Sequence, residues 1–278
     1  MSTPEEKEIL KLNLERSIPL FEKESAVVHS DFKKTLIATD IHGDLNALEF
    51  ILKFAEEKEV DSYIFLGDYI DKGSESVAVL NTLLELKLKD PKKTILLRGN
   101  HETRGLSAWL EFGEDLVYHP ELLDAANEFF EKMPIAAVLN NQIFCIHGCI
   151  AGSEDETPTD ISKAEPKCYI WNDPGAEDGL TPSPRGNSIH RVGPNLISDY
   201  LKRNDLKLII RGHTSHTEGV KYWFDGKLVS LYSGIHLDGL QVKAAVAIAK
   251  EDEIKFHYFR KTKNRFEWLD ESEKMKLK

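Results

Sequence analysis

The sequence predicts an α/β fold in which two mixed β-sheets pack face to face as a sandwich flanked by helices. Short apolar runs alternate with helix-like amphipathic runs through the first half of the chain, which is typical of parallel β-α-β units. An Asn-Asn pair at positions 140 and 141 separates two apolar runs and predicts a tight antiparallel hairpin. Several short β-like runs then follow one another towards the C-terminus. Parallel and antiparallel pairing in the same chain favours mixed sheets.

The length bounds the domain organisation. At 278 residues the chain can bury a sizeable core, and it fits one large domain better than two small ones. We expect a single domain over residues 1–278, with lead-in helices (1–34), a core (35–260) and a charged C-terminal tail (261–278). A hydrophobic content of 41% and a charged content of 30% are ordinary for a globular protein.

Charge and composition exclude several classes of partner. The formal net charge of −11 argues against nucleic acid, because binding to a phosphate backbone needs a basic face. No apolar run approaches the roughly 20 residues of a membrane-spanning helix. The N-terminus lacks the basic and apolar regions of a signal peptide, so we expect a cytoplasmic protein with no membrane partner. Cys145, Cys149 and Cys168 lack CxxC spacing and predict reduced thiols rather than a disulfide framework.

Local patterns predict the elements in chain order. Thr3, Pro4 and Glu6 form the signature of a helix start with a capping box, and Asp44 is placed to cap a second helix. Further helices are predicted at residues 74–88, 125–132 and 196–203. Strands are predicted at residues 36–39, 63–66, 94–97, 135–139, 142–146, 206–210, 228–232, 244–249 and 254–259. The stretch 152–193, rich in proline and acids, is the least regular part, and a loop region of this length predicts a functional surface.

Polar side chains that could bind metal or act as catalysts follow five of the predicted strands. They are Asp40 with His42, Asp68 with Asp71, Asn100 with His101, His147, and His213. Each group adjoins a glycine at the carboxyl end of a strand, which is where α/β sheets bind their ligands. Any one group alone could be a helix cap, a turn residue or a hydrogen-bonded core histidine. Because the same placement recurs five times, the pattern favours a metal site.

The residue types narrow the choice of metal. Carboxylates, imidazoles and an amide oxygen, without thiolates, suit manganese, iron or zinc rather than a structural zinc. The side chains are too many for one ion, and two divalent ions bridged by a carboxylate are the arrangement expected for phosphoester hydrolysis. We therefore expect two divalent metal ions, with manganese preferred and iron or zinc as alternatives. Such ions would also offset the negative charge of the chain for an anionic substrate.

Three segments carry a resemblance to a known family. Residues 39–44, 67–73 and 97–102 resemble the three signature motifs of the phosphoprotein phosphatase family, the metallo-dependent serine/threonine phosphatases. The likeness continues in order at residues 133–138, 143–148, 171–174, 185–186 and 211–213, and it covers about residues 36–250. It implies a single metallophosphatase domain of the calcineurin-like fold. It also implies an enzyme that removes phosphate from phosphoserine and phosphothreonine in proteins.

The resemblance assigns a role to each matched residue. The implied metal ligands are Asp40, His42 and Asp68 for one ion, and Asp68, Asn100, His147 and His213 for the other. A hydroxide held by the ions would attack phosphorus in line. His101, oriented by Asp71, would be the general acid that protonates the leaving alkoxide. The phosphate-binding residues implied by the resemblance are Lys72, Arg185 and Asn100.

The chain departs from the family pattern at three places. Lys72 stands where the family usually has arginine, and lysine offers a point charge instead of a planar bidentate fork. Thr39 replaces the usual glycine before the first aspartate, which we expect to change packing only. Residues 232–236 lack the usual proline-and-tyrosine loop over the site, and His236 is either a partial replacement or an ordinary loop histidine.

Two other functions compete with protein dephosphorylation. The Lys72 replacement and the altered loop at 232–236 leave room for a hydrolase of dinucleotide polyphosphates or other small phosphoesters. A non-catalytic metal-binding module would be expected to lack the acid or a ligand, and none is missing here. The sequence identifies neither regulatory subunits nor an oligomeric state.

Overall fold

Two six-stranded sheets form the centre of the computed structural model, which describes residues 1–235, 242–263 and 265–277. The helices are α1 (Pro4–Lys23), α2 (Leu45–Glu57), α3 (Ser76–Lys89), α4 (Arg104–Ser107), α5 (Glu111–Asp115), α6 (Pro120–Lys132), α7 (Lys167–Trp171) and α8 (Pro194–Arg203). The strands are β1 (Val27–Ser30), β2 (Lys34–Ala38), β3 (Ser62–Phe65), β4 (Thr94–Leu96), β5 (Ala136–Leu139), β6 (Ile143–Ile146), β7 (Asp173–Pro174), β8 (Leu180–Pro182), β9 (His190–Val192), β10 (Leu208–Arg211), β11 (Val220–Trp223), β12 (Leu228–Leu231), β13 (Ala244–Lys250), β14 (Glu253–Thr262) and β15 (Arg265–Lys276).

Both large sheets are mixed, as the sequence predicts. The first sheet has the order β15-β14-β13-β2-β3-β4, in which β2, β3 and β4 are parallel and the other pairs are antiparallel. The second has the order β1-β5-β6-β10-β12-β11, in which β6, β10 and β12 are parallel. A small third sheet, β7-β9-β8, lies within the stretch expected to be irregular. Since β2, β3 and β4 share one direction, their carboxyl ends meet at one edge of their sheet, and those of β6 and β10 do the same in theirs.

Alternating side chains place the cores on the two faces of each sheet. Ile64 of β3 and Ile210 of β10 lie in the core between the sheets. Phe65, the next residue after Ile64, packs in a second core beneath helices α1, α2, α3 and α6. Ile197 of α8 belongs to a third core on the outer face of the second sheet. The sandwich with helices outside is therefore confirmed.

Local signals define several of these elements as predicted. The Thr3 amide donates to Glu6 Oε2 (2.6 Å) and the Glu6 amide to Thr3 Oγ1 (3.2 Å), so α1 begins with the expected capping box. Asp44 caps α2 by accepting from the Ala47 amide at 2.8 Å. Asn140 and Asn141 both adopt a φ of 53° in the tight turn between β5 and β6, which the Gln142 amide closes by donating to the Leu139 carbonyl at 3.1 Å.

The two ends of the chain differ from the prediction. Residues 1–34, predicted as lead-in helices, contain one helix, α1, and then strand β1, which pairs in parallel with β5. Residues 265–276, predicted to lie in a charged tail, form strand β15 and pair with β14. The error arose because charged residues dominate this segment, as is common on edge strands that discourage aggregation.

Two smaller expectations concern cysteines and membranes. All three cysteines are free in the structure, which agrees with the predicted reduced thiols. Burial raises the pKa of Cys145 to about 12, so this thiol packs as a small apolar group. Within the part of the chain that the structure describes, no helix is both long and apolar enough to cross a membrane.

Replacement of Trp268 tests whether β15 is part of the folded unit. The Trp268 ring stacks on Phe54 of α2 at 3.8 Å between ring centroids and on Phe50 at 4.9 Å. We expect Trp268→Ala to lower the free energy of unfolding by about 2 kcal/mol, because a half-buried aromatic contact is lost. Urea denaturation measures this change. Trp109→Ala is the matched control, since Trp109 is 82% exposed and its removal should cost less than about 0.5 kcal/mol. Equal effects of the two changes would contradict the packing role of β15.

Candidate metal centre

The strand-end residues predicted from the sequence lie together where the two sheets meet. The His213 amide, after β10, donates to Asp40 Oδ2, after β2, at 3.0 Å and so links the sheets. Within the first sheet, the Asp40 amide donates to the Gly67 carbonyl at 3.0 Å. Within the second, the Gly212 amide donates to the His147 carbonyl at 3.0 Å. One cluster therefore collects side chains from both sheets.

Left-handed backbone turns aim these side chains into the cluster. Asp40, His42, Asp68, Asp71 and His213 have φ values of 52°, 49°, 58°, 67° and 67°. Such conformations cost about 1–3 kcal/mol each for residues other than glycine. They persist because rigid strands and the hydrogen bonds between loops hold them in place.

Asp40, His42 and Asp68 form the first group of potential metal ligands. His42 Nδ1 bonds to the Ile70 carbonyl at 2.9 Å, so Nδ1 carries the hydrogen and Nε2 carries the lone pair. That Nε2 atom lies 3.5 Å from Asp68 Oδ2 and 3.8 Å from Asp40 Oδ1. Burial, which disfavours a charged imidazole, lowers the pKa of His42 well below its usual value. A neutral ring with a fixed lone pair is the form that binds metal.

Asp68, Asn100, His147 and His213 form the second group. His147 Nδ1 bonds to the Leu66 carbonyl at 2.9 Å, which leaves Nε2 directed at Asp68 Oδ1 (3.3 Å) and Asn100 Oδ1 (3.0 Å). His213 Nδ1 lies 2.6 Å from the same Asn100 oxygen. One carboxylate, one amide oxygen and two imidazole nitrogens thus converge on one point, with Asp68 common to both groups.

Burial and neighbouring charges shift the pKa values of the two buried carboxyl groups in this cluster in opposite directions. Burial, assisted by the neighbouring Asp68, raises the pKa of Asp40. Burial also acts to raise the pKa of Asp68, but His147, His101 and His42 outweigh it and hold that pKa well below its usual range. Two carboxylates at full burial are unfavourable without positive charge beside them. The cluster therefore fits cations.

The geometry also fits divalent metal ions. Ligand atoms of Asp68, His147 and His213 all lie within 4.8 Å of one another, as do those of His42, Asp68 and His101. Oxygen and imidazole donors without thiolates suit metals of the manganese, iron and zinc group. His101, which the family resemblance implies to be the acid, thus lies beside His42 and Asp68.

His101 and Asp71 form a separate pair beside the ligands. His101 Nδ1 lies 2.7 Å from Asp71 Oδ2, and Asp71 Oδ1 accepts from the Phe112 amide at 3.0 Å. His101 Nε2 is 4.0 Å from Asp68 Oδ2. Burial lowers the pKa of His101, but Asp68 and Asp71 outweigh it and raise the pKa to about 8. The two carboxylates therefore favour the charged imidazole, and the bond to Asp71 fixes its orientation, as a proton donor requires.

Glu102 organises this region, although the sequence analysis assigned it no role. Its buried carboxylate accepts from the amides of Asp68 (2.7 Å), Tyr69 (2.8 Å) and Gly99 (3.0 Å). It thereby joins the loop after β3 to the loop after β4. Burial and then Asp68 raise the pKa of Glu102 to about 7. One signal in the sequence could have pointed to this role: Glu102 directly follows His101 within the third motif, residues 97–102.

Glycines permit the close approach of these loops. A side chain on Gly99 would place its Cβ 2.3 Å from Asp68 Oδ1. A Cβ on Gly212 would lie 2.0 Å from Thr39 Oγ1 and 2.6 Å from Asp40 Oδ2. Neither position has room for a methyl group, so both glycines are needed for the ligands to converge.

Thr39 does more than alter the packing. Its hydroxyl donates to Asp40 Oδ2, and its amide donates to Ser233 Oγ at 3.1 Å. The expectation that this replacement changes packing only is therefore wrong, because the threonine adds a hydrogen bond to a predicted ligand. Asp40 receives this bond together with the one from the His213 amide.

The two predicted phosphate-binding cations lie at different places. Lys72 Nζ is 2.7 Å from His42 Nε2, inside the first ligand group. Arg185 Nε donates to Asp173 Oδ2 at 2.6 Å. Asp173 in turn accepts from Thr214, the residue after His213, at 2.8 Å, so Arg185 is joined to the cluster through Asp173. His236 lies outside the described residues.

Known proteins resemble this chain in sequence and fold. The profile of the family described as calcineurin-like phosphoesterase matches residues 33–216. The chain is 34% identical over 229 residues to the serine/threonine-protein phosphatase 4 catalytic subunit of Eremothecium gossypii, which covers 77% of this chain and 72% of the relative. It is 33% identical over 227 residues to human serine/threonine-protein phosphatase 5, which covers 76% of this chain and 45% of the relative.

A solved structure shares the fold. The structure of a protein serine/threonine phosphatase from Saccharomyces cerevisiae, with similarity to human phosphatase PP5, superposes with a TM-score of 0.80. It is 24% identical, and the match covers 88% of this chain and 83% of the other. At that identity the likeness supports the architecture alone, whereas the curated relatives and the family profile cover most of the chain at the level of sequence. The chain therefore belongs to the calcineurin-like phosphoesterases, within the family of serine/threonine-protein phosphatases.

Proposed function

We propose that this protein is a dinuclear-metal phosphoester hydrolase that removes phosphate from phosphoserine and phosphothreonine in proteins. The observation that carries the proposal is that the buried Asp68 belongs to two ligand groups at once, with the His101–Asp71 pair beside it. The names of the curated relatives support the substrate class, since those proteins are serine/threonine-protein phosphatases. A cytoplasmic location and a single domain remain predictions.

The proposed ligands are the two groups described above, with Asp68 as the shared carboxylate. When bound, two divalent ions would activate water as the nucleophile and neutralise negative charge on the phosphoryl oxygens. Manganese, iron and zinc all suit these donors, and we propose manganese as the first ion to test. His42 and His147 donate hydrogen bonds through Nδ1 to backbone carbonyls, so Nε2 is the nitrogen of each ring that would face a metal ion. His147 Nε2, which donates to Asn100 Oδ1, would lose that hydrogen when a metal ion binds.

His101 is the proposed general acid. Asp71 holds Nδ1, which leaves Nε2 as the nitrogen that can pass a proton to the leaving serine or threonine alkoxide. The negative charge of Asp71 raises the pKa of His101 and so favours the protonated ring. Asp71 is a positioning residue: it is fully buried and orients the ring through the 2.7 Å bond.

Lys72, Arg185 and Asn100 are the proposed contacts to the phosphate. An arginine can bind two phosphate oxygens through parallel N–H donors, whereas lysine acts as a point charge. Asp173 orients Arg185 through the Nε atom. The Asn100 Oδ1 atom lies between the ligand histidines, and the amide N–H group of the same side chain is the proposed donor to a phosphoryl oxygen.

Comparison of two substrates tests the function. With added Mn²⁺, we expect the purified chain to hydrolyse a phosphoserine or phosphothreonine peptide faster than a dinucleotide tetraphosphate. Release of inorganic phosphate and chromatography of the nucleotide products measure the two rates. Absence of phosphopeptide turnover together with rapid nucleotide cleavage would replace the proposed substrate class with small phosphoesters.

Substitution of His101 separates the acid from the ligands. We expect His101→Asn to lower kcat by about 10²–10⁴-fold, the usual contribution of a positioned acid, while metal content by elemental analysis stays at the wild-type level. His119→Asn is the matched control, because the His119 side chain is 43% exposed and lies outside the cluster. Loss of a metal ion in His101→Asn would show that His101 is a ligand, as its place beside His42 and Asp68 allows.

The two acids of the segment 67–73 should respond differently to the same change. We expect Asp68→Asn to lose bound metal, because the negative charge of the carboxylate that both ligand groups share is removed. Asp71→Asn should retain metal and lower kcat, because only the orientation and charge of His101 are affected. Elemental analysis and steady-state kinetics of both variants measure these outcomes. Equal metal loss in both would contradict the separate roles.

A further inference from the structure

Lys72 makes an unusual contact with a predicted metal ligand. Its ammonium nitrogen lies 2.7 Å from His42 Nε2. Because His42 Nδ1 bonds to the Ile70 carbonyl, the Nε2 atom carries the ring's lone pair. The ammonium has no acceptor capacity, so Lys72 donates a hydrogen to that lone pair. This is the lone pair that would bind the first metal ion.

The lone pair of His42 Nε2 has two possible partners, the Lys72 ammonium and a metal ion. An imidazole nitrogen that accepts a hydrogen bond from an ammonium cannot at the same moment coordinate a metal ion. The same Nε2 atom faces the carboxylates of Asp68 (3.5 Å) and Asp40 (3.8 Å). The ammonium therefore uses the ligand nitrogen of this group and brings one positive charge to its two acids.

Lysine is suited to this position in a way that arginine is not. An ammonium group is a compact point charge with three donors, and it resembles a monatomic cation among oxygen and nitrogen ligands. The guanidinium of arginine is a wide planar fork whose charge is spread over three nitrogens. A guanidinium therefore fits a phosphate group better than it fits a site whose ligands surround a small ion. The arginine expected from the family pattern would therefore not replace Lys72 in this contact.

The backbone at Lys72 is fixed, whereas its side chain is largely exposed. Lys72 has a φ of 62°, and its amide donates to Glu111 Oε2 at 3.0 Å. The Lys72 residue is exposed, although its ammonium group reaches the buried His42. The side chain can thus leave His42 by rotation about its own bonds, without any change in the loop. The same movement would carry the charge towards a phosphate bound outside the ligands.

We propose that Lys72 is an internal cation that competes with the metal ion for His42 and so weakens the first metal position relative to the second. The proposal rests on the proposed function, since it assumes that His42 is a ligand. For a metal ion to be held by His42 Nε2, the Lys72 ammonium would have to leave that nitrogen, and it would then be available to a bound phosphate. Lys72 thus determines how readily the first position fills.

Metal binding to three variants tests this competition without reference to activity. Titration calorimetry of the metal-stripped full chain with Mn²⁺ gives a Kd for each of the two positions. We expect Lys72→Met to lower the Kd of the weaker position about tenfold, because a hydrogen bond to a charged group no longer has to be broken. The Kd of the tighter position should stay unchanged. Methionine has an unbranched side chain like lysine, so the left-handed backbone is matched.

Lys72→Arg distinguishes competition for His42 from simple charge repulsion. The arginine variant keeps the positive charge, but its guanidinium cannot take the place of an ion at His42 Nε2. We therefore expect the Kd of the weaker position to fall in Lys72→Arg as it does in Lys72→Met. Lys202→Met is the control for net charge, because Lys202 is exposed in the last turn of α8, and its Kd values should equal the wild type. Equal Kd values in wild type and Lys72→Met, or a lower Kd in Lys72→Met alone, would overturn the competition. Absence of Mn²⁺ binding in every variant would instead overturn the metal centre.

Discussion

Two buried carboxylates beside each other are the constraint on which the rest of the site depends. Asp40 and Asp68 end neighbouring parallel strands and lie almost fully out of solvent. Their charge can be kept there only by hydrogen-bond donors and positive groups. Backbone amides of His101 and His213, the hydroxyl of Thr39 and the rings of the histidines supply these donors. The elements that carry these groups must therefore meet at this point.

The sheets make that meeting possible by fixing the loop ends. Residues in left-handed conformations would not persist in a mobile loop, because each is costly. Here they follow strands held on both sides, and Glu102 binds three amides of the adjoining loops. Gly99 and Gly212 let the backbone approach the carboxylates without a clash. The same rigidity directs Asp68 and Asp71, which lie three residues apart, to different partners.

Much of the fold and of the candidate site was predictable because its signals are local. Apolar runs ending in Asp40, Asp68 or Asn100 mark strands and their carboxyl ends, and parallel strands bring those ends together. Strand β15 was not predictable in this way, because its charged edge conceals the contact of Trp268 with Phe54, more than two hundred residues earlier. The hydrogen bond from the Thr39 hydroxyl to Asp40 was missed although the two residues are adjacent, because the direction of both side chains depends on the folded backbone.

The sequence by itself determined the kinds of donor at each strand end, the fold class and the family. Those properties depend on residue type and on spacing along a short segment. Only the tertiary structure decided that the His213 amide of the second sheet reaches Asp40 of the first, that Glu102 joins two loops, and that Lys72 reaches His42. These are distances between atoms from separate segments, and they depend on how the strands are ordered and how far each side chain extends. The stretch 67–73 thus encodes its chemistry locally, but the partner of each of its side chains is chosen by the fold.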